Sequence, residues 1–272
     1  MRRRVPVHLY FQRLRPSVFG MIEVKHFSYY YGKQKAVDDV SFTVPTGEIV
    51  ALIGPNGAGK STTMKVLTTL LKPVCGEIRV AGFDVVNEPM RVREKLGYLP
   101  ETNPLYGDML VADALHSMAE QHFVPHKAIP NAVARVVLLC DLRRVMHKRI
   151  DDLSKGYRQR VGIAQAIIHE PDTLILDEAT TGLDPNQVQD IRDLILEIGK
   201  DKTVLMSTHI LQEVQAIAKR MILLDHGKVV CDGIISDVSE DVARKLGRPS
   251  ASQEDIFRWF TGRNKPTNQS SR

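Results

Sequence analysis

The segment Gly54-Pro55-Asn56-Gly57-Ala58-Gly59-Lys60-Ser61-Thr62 narrows most what this chain can fold into. It matches G-x-x-x-x-G-K-[ST], which composition alone produces in roughly one chain of this length in a hundred. An apolar run at 49–53 precedes it, and Met64, Leu67 and Leu71 follow at helical spacing. Glycines at 54, 57 and 59 let the backbone curl until its N–H groups face phosphate oxygens. The N-terminus of the following helix adds a favourable field for anions. Lys60 can then reach the β- and γ-phosphates of a nucleoside triphosphate, and the Ser61 hydroxyl can bind Mg²⁺.

The rest of the chain supplies the layers that such a loop needs. Strand-like runs fall at 22–24, 40–44, 49–53, 77–80, 173–176, 203–207 and 220–224, with a turn at Thr46-Gly47. Helical spacing covers 61–71, ended by Pro73 and Gly76, then 111–121, 131–140, 156–168 and 185–198. Asp108 and Asp113 are candidate caps for the second of these, and Pro130 falls just before the third. Strands alternating with helices predict an α/β fold whose largely parallel sheet is covered on both faces. The helical stretch at about 103–166 reads as an insertion. Beyond Asp237 the pattern weakens, except that 253–260 predicts a short amphipathic helix burying Ile256, Phe257 and Phe260. The last ten residues read as a disordered, solvated tail. No internal repeat is present.

Charge excludes one class of partner. Residues 1–20 hold Arg2, Arg3, Arg4, Arg13 and Arg15 and no acid, leaving 32 basic against 32 acidic residues elsewhere. The excess is an N-terminal feature rather than a nucleic-acid-binding face. Met21, ahead of a strand-like run, is the expected native start, with 1–20 an upstream misreading of the gene; the alternative is a basic, disordered arm. The opening residues lack a signal-peptide pattern, so export is not expected. Cys75, Cys140 and Cys231 have no metal-site spacing and read as reduced cytosolic thiols. No apolar run reaches the roughly 18–20 residues that span a bilayer.

Leu174-Ile175-Leu176-Asp177-Glu178 is an apolar strand ending in two carboxylates. A buried parallel strand delivers its last residues to the crevice where ligands bind in open α/β sheets. Asp177 suits a Mg²⁺ site and Glu178 can polarise an attacking water.

Ser154 begins Leu153-Ser154-Lys155-Gly156-Tyr157-Arg158-Gln159-Arg160, ahead of that strand. Here the chain resembles the nucleotide-binding domains of ABC (ATP-binding cassette) transporters, whose signature is usually LSGGQ-x-Q-R. It departs from the pattern at Lys155 and Tyr157. Ser154 is placed to cap the helix that follows, leaving its hydroxyl and the orphan N–H groups to meet a γ-phosphate. The resemblance covers about residues 21–235. It implies a P-loop NTPase cassette with a RecA-like core, an antiparallel β subdomain and the inserted helical subdomain, followed by a C-terminal segment at 236–272.

The resemblance also implies further site residues. Tyr31 sits where the family places an aromatic that stacks on adenine, although Tyr29 and Tyr30 adjoin it. Thr181-Gly182-Leu183-Asp184 resembles the D-loop that links two sites of a dimer. His209 matches a switch histidine that contacts the γ-phosphate. Glu101 stands where most members carry a Mg²⁺-ligating glutamine; it keeps an acceptor but adds charge and loses the amide donors.

The segment GYLPE with Asn103-Pro104-Leu105-Tyr106 is similar to a branch of ABC-2-type exporter subunits that includes proteins linked to gliding motility. The tail QEDIFRWF is similar to the end segment of ABC-2-type ATPases. Two copies, or this chain and a paralogue, are expected to close head to tail around two ATP molecules with Mg²⁺. Each site would take Lys60, Ser61, Asp177, Glu178 and His209 from one chain and Ser154 and Gly156 from the other. The stroke would act on a separate membrane permease, at the cytoplasmic face of the membrane, docked around 103–121. A soluble ABC ATPase working on the ribosome or DNA is the alternative; the single cassette and neutral core argue against it. A P-loop kinase or GTPase fails on the signature segment and His209.

Overall fold

The computed structural model describes residues 21–262. The expectations for residues 1–20 and for a solvated tail at 263–272 lie outside the described residues. The chain opens with β1 (Ile22–Tyr31) and β2 (Gln34–Val44), antiparallel and reversed at Gly32-Lys33. Both strands run longer than the sequence pattern predicts. Register shifts between Val24 and Phe27, Phe27 and Tyr29, and Tyr29 and Tyr30 break the period-two alternation. At the bulge His26 and Asp39 take left-handed backbone, φ 51 and 54. Their N–H groups donate to Ser41 Oγ at 2.8 Å and Ser28 Oγ at 2.9 Å. With β4 (Cys75–Val80) and β5 (Phe83–Asp84) these strands form an antiparallel sheet in the order β2-β1-β4-β5.

The second sheet has six strands: β3 (Ile49–Ile53), β6 (Leu96–Leu99), β7 (Thr173–Asp177), β8 (Thr203–Thr208), β9 (Arg220–Asp225) and β10 (Lys228–Ile234). Its order is β10-β9-β3-β8-β7-β6, parallel except for β10. Residues of β3 alternate between two cores. Val50 and Leu52 pack with the antiparallel sheet and α1 (Lys60–Leu67), while Ala51 and Ile53 face the core shared with the helices. Each fully buried Leu or Ile side chain contributes about 1.5–3 kcal/mol.

α1 stops at Leu67 rather than reaching residue 71. Thr69 turns left-handed at φ 61, and the N–H groups of Leu70 and Leu71 close on Lys65 O at 2.8 and 3.0 Å. The helical insertion holds α3 (Val111–Gln121) and α4 (Ile129–Leu139), and leads into α5 (Lys155–Ile167); α2 (Pro89–Lys95) precedes β6. Neither Asp108 nor Asp113 caps α3, whose N-cap is Leu110 without a side-chain bond. The N–H groups of Val111 and Ala112 donate instead to Lys148 O at 3.0 Å and Met146 O at 3.1 Å. Asp113 sits in the first turn, where its charge complements the helix dipole. Pro130 lies within the first turn of α4, not ahead of it.

After α6 (Pro185–Ile198) and α7 (Leu211–Ile217), the chain adds β10, α8 (Ile235–Leu246) and α9 (Gln253–Thr261). Val238 and Val242 of α8 and Ile256 of α9 join the helix-side core; Phe257 and Phe260 are half-buried against it. A buried ion pair within the second sheet positions Arg220 to bond across to the first. Arg220 Nε and Nη2 donate to Asp232 Oδ1 and Oδ2 at 2.8 Å, and Nη1 donates to Thr43 O at 2.9 Å.

Candidate functional site

Parallel pairing places Ile53 beside Thr208 and Asp177 beside Ser207. The phosphate loop, the two acids and His209 therefore leave the sheet along one edge, at the carboxyl ends of β3, β7 and β8. The loop is wedged against its neighbours. A Cβ on Gly54 would stand 2.3 Å from Leu224 O, and one on Gly59, at φ 102, would stand 2.8 Å from Ala36 O. Lys60 is buried, 6% exposed, and its Nζ donates to Gly54 O at 2.8 Å and Pro55 O at 3.3 Å.

Glu178 breaks the rule that left-handed backbone favours glycine, with φ 53 directly after β7. Its N–H is held by Ser207, at 3.1 Å from Oγ and 3.2 Å from the carbonyl oxygen. Its carboxylate faces three groups. Thr181 Oγ1 donates to Oε2 at 2.8 Å, His209 Nδ1 lies 2.8 Å from the same oxygen, and Lys60 Nζ is 3.8 Å from Oε1. Asp177 is buried behind it and accepts from Ser207 Oγ. Burial raises the Asp177 carboxyl above its ordinary range, against the pull of the Ser207 and Ser61 hydroxyls; Glu178 raises it further and Lys60 lowers it.

A cavity of about 750 Å³ unites most of the expected site. Asn56, Gly57, Gly59, Lys60, Ser61 and Thr62 line it from the loop, joined by Tyr31, Glu101, Glu178 and His209. Gly54, Pro55 and Ala58 back the loop rather than line the cavity. Of the three adjoining tyrosines, Tyr31, 49% exposed, is the one that lines the cavity. Tyr29 is half-buried and meets Tyr31 edge-on at 5.0 Å, while Tyr30 sits under Lys35 Nζ at 5.3 Å.

Ser154 and Gly156 are not brought to that cavity. They line a separate one of about 130 Å³ with Gln187 and Arg160, and the two cavities share no lining residue. Ser154 is the N-cap of α5, its Oγ accepting from Tyr157 N at 3.4 Å. Asp184 lines neither cavity; its Oδ1 caps α6 by accepting from Gln187 N at 3.0 Å. Lys155, the departure in the signature, lies over Gly182, where a Cβ would stand 2.2 Å from its Nζ. Ser207 and His226 carry no expectation from the sequence, and Thr181 is expected only as part of the D-loop segment, not as a partner of Glu178. Ser207 was within reach of sequence reasoning: pairing the ends of β7 and β8 puts it beside Asp177.

A P-loop chain whose carboxylates and histidine leave one sheet edge, and whose Ser154 and Gly156 line a separate cavity, has the arrangement of an ABC-type cassette. Residues 37–181 match the family model described as ABC transporter. The ABC transporter ATP-binding protein NatA of Bacillus subtilis is 37% identical over 76% of this chain and 85% of its own length. The Nod factor export ATP-binding protein I of Burkholderia orbicola is 31% identical over 88% of this chain and 81% of its own. The doxorubicin resistance ATP-binding protein DrrA of Mycobacterium tuberculosis is 36% identical over 76% of this chain and 64% of its own. Among solved structures, an ATP-binding subunit of an ABC transporter superposes with a TM-score of 0.77 at 32% identity, covering 88% of this chain and 99% of that one. The chain belongs to the ABC transporter family, as an ATP-binding, ATP-hydrolysing subunit.

Proposed function

We propose that this chain powers an ABC-2-type exporter, two copies closing head to tail around two ATP molecules and driving a separate permease. The separation of the two half-sites on one chain carries this reading. Ser154 and Gly156 line a cavity apart from the Lys60 loop, so the N–H groups at the start of α5 would meet a γ-phosphate there from a second copy. Two of the relatives are named for doxorubicin resistance and for Nod factor export, which favours export as the direction.

In such a site the loop N–H groups and Lys60 hold the phosphates, and Glu178 takes the proton of an attacking water. His209 and Thr181 orient the Glu178 carboxylate, so that its lone pairs are aimed before the nucleotide arrives. Ser61 and Asp177 offer the hard oxygen donors that Mg²⁺ takes, with Glu101 on the cavity wall. Among the described residues no cluster of three or more His, Cys, Asp or Glu could hold a metal alone, so phosphates and water would complete the shell. The cation would neutralise charge on the β- and γ-oxygens.

Among the described residues no helix is long and apolar enough to cross a membrane. We place the subunit at the cytoplasmic face, docked through the surface around 103–121, with the cassette over 21–235 and the segment from 236 accessory to it. Affinity purification from membranes tests the reading. Recovery with an integral membrane protein is the expected result; recovery with ribosomes or DNA instead would overturn it.

A further inference from the structure

The turn between β9 and β10 stands in the nucleotide cavity with no task so far. It consists of His226 and Gly227, both in left-handed backbone at φ 46 and 75, with Asp225 paired to Lys228 across it. Two-residue turns of this kind favour Asn-Gly or Asp-Gly. Histidine stands here at the first position, in left-handed backbone.

The turn is held from two sides. Gly227 N donates to Ala58 O of the phosphate loop at 3.1 Å, and Gly227 O accepts from Asp38 N at 2.8 Å. A Cβ on Gly227 would stand 2.8 Å from Ala36 O. His226 is thereby fixed between the loop and β2, while its side chain stays 88% exposed and lines the cavity. Its Nε2 is 3.9 Å from Asp225 Oδ1, a buried oxygen without a hydrogen-bond partner. That carboxylate gives the imidazole an orienting charge.

Three rings line the cavity: Tyr31, His209 and His226. His209 is tied to Glu178 at the phosphate end. Tyr31 and His226 remain for the other end. We propose that His226 is a second nucleotide-binding ring, packing on the base and ribose of ATP, with Tyr31 as the other aromatic wall. The inference rests on the ATP-site reading above. A flat imidazole offers a purine the same stacking surface that any aromatic ring does.

Calorimetric titration of the full chain with ATP and with inorganic tripolyphosphate, in the same Mg²⁺ buffer, tests it. His226→Asn removes the ring and keeps a residue that tolerates the left-handed turn. The expected result is an ATP Kd raised roughly fivefold or more, with tripolyphosphate affinity unchanged. An unchanged ATP Kd would overturn the proposal. So would an equal loss for both ligands, because the turn would then act through the phosphate loop. Wild-type chain that bound no ATP would overturn the site reading itself, and the proposal with it.

Discussion

Glu178, the proposed base, is held from its backbone and from its carboxylate. Left-handed backbone, two bonds from Ser207 to its N–H and two side-chain partners on one carboxylate oxygen leave it little freedom. Glu178→Gln keeps the shape and loses the base, so ATP still binds while steady-state hydrolysis falls roughly 10²–10⁴-fold. Normal turnover in that variant would remove Glu178 from this role. Glu101 tests a different point, the charge on the cavity wall. Replacing it with glutamine is expected to shift the Mg²⁺ dependence of turnover. Unchanged Mg²⁺ dependence and unchanged stimulated turnover would show that the charge has no special role. The loop, Asp177 and Glu178 were legible in the sequence because their chemistry is local. The bond from Thr181 to Glu178 and the place of His226 in the cavity were not, because only folding creates those contacts.

Among the elements, burial decides both stability and legibility. α3 and α6 match the predicted spans residue for residue, since their apolar stripes are clear and α6 carries Pro185 at its first position. β1 and β2 read as fragments because bulges interrupt their alternation. α8 escaped notice because its stripe of Ile235, Val238, Val242 and Leu246 is thin among charged neighbours. The Arg220–Asp232 pair joins these late elements to β2. Arg220→Leu leaves Asp232 buried without its partner and is expected to cost about 3–5 kcal/mol in denaturant unfolding, most of it recovered when Asp232 also becomes Leu. A loss within experimental error for the single variant would contradict that role. His169 makes the packing below α3 sensitive to acid. It stacks on His122 at 3.8 Å and its Nε2 donates to Leu96 O at 3.1 Å. Burial, with His122 alongside, lowers its pKa from 6.5 to about 4. The folded state therefore holds fewer protons than the unfolded chain between pH 6.5 and 4. Stability from this site is complete above pH 6.5 and lost as pH falls toward 4. Melting curves of His169→Gln should show a flatter pH dependence across that window; an identical slope would exclude the site.

At the scale of the whole molecule, the chain carries two separate cavities that, on the proposed reading, are two half-sites. The cavity with Lys60, Glu178 and His209 lacks a signature helix, and the α5 cap with Ser154 lacks a phosphate loop. α5 is braced against α6 within the chain, through Arg160 Nη2 to Asp190 Oδ2 at 3.0 Å and Gln187 over Gly156. Asn103 Nδ2 donates to Arg158 O at 3.0 Å, so the stretch just after Glu101 also bears on α5. Closure of two copies would bring these braces to the partner's nucleotide as a rigid unit. The most direct measurement mixes two inactive variants, Lys60→Ala and Ser154→Ala, and follows ATP hydrolysis. A head-to-tail dimer of one of each contains one intact composite site, so the mixture should recover a substantial fraction of wild-type turnover. No recovery, from chains that still fold and associate, would mean that each site is completed within its own chain.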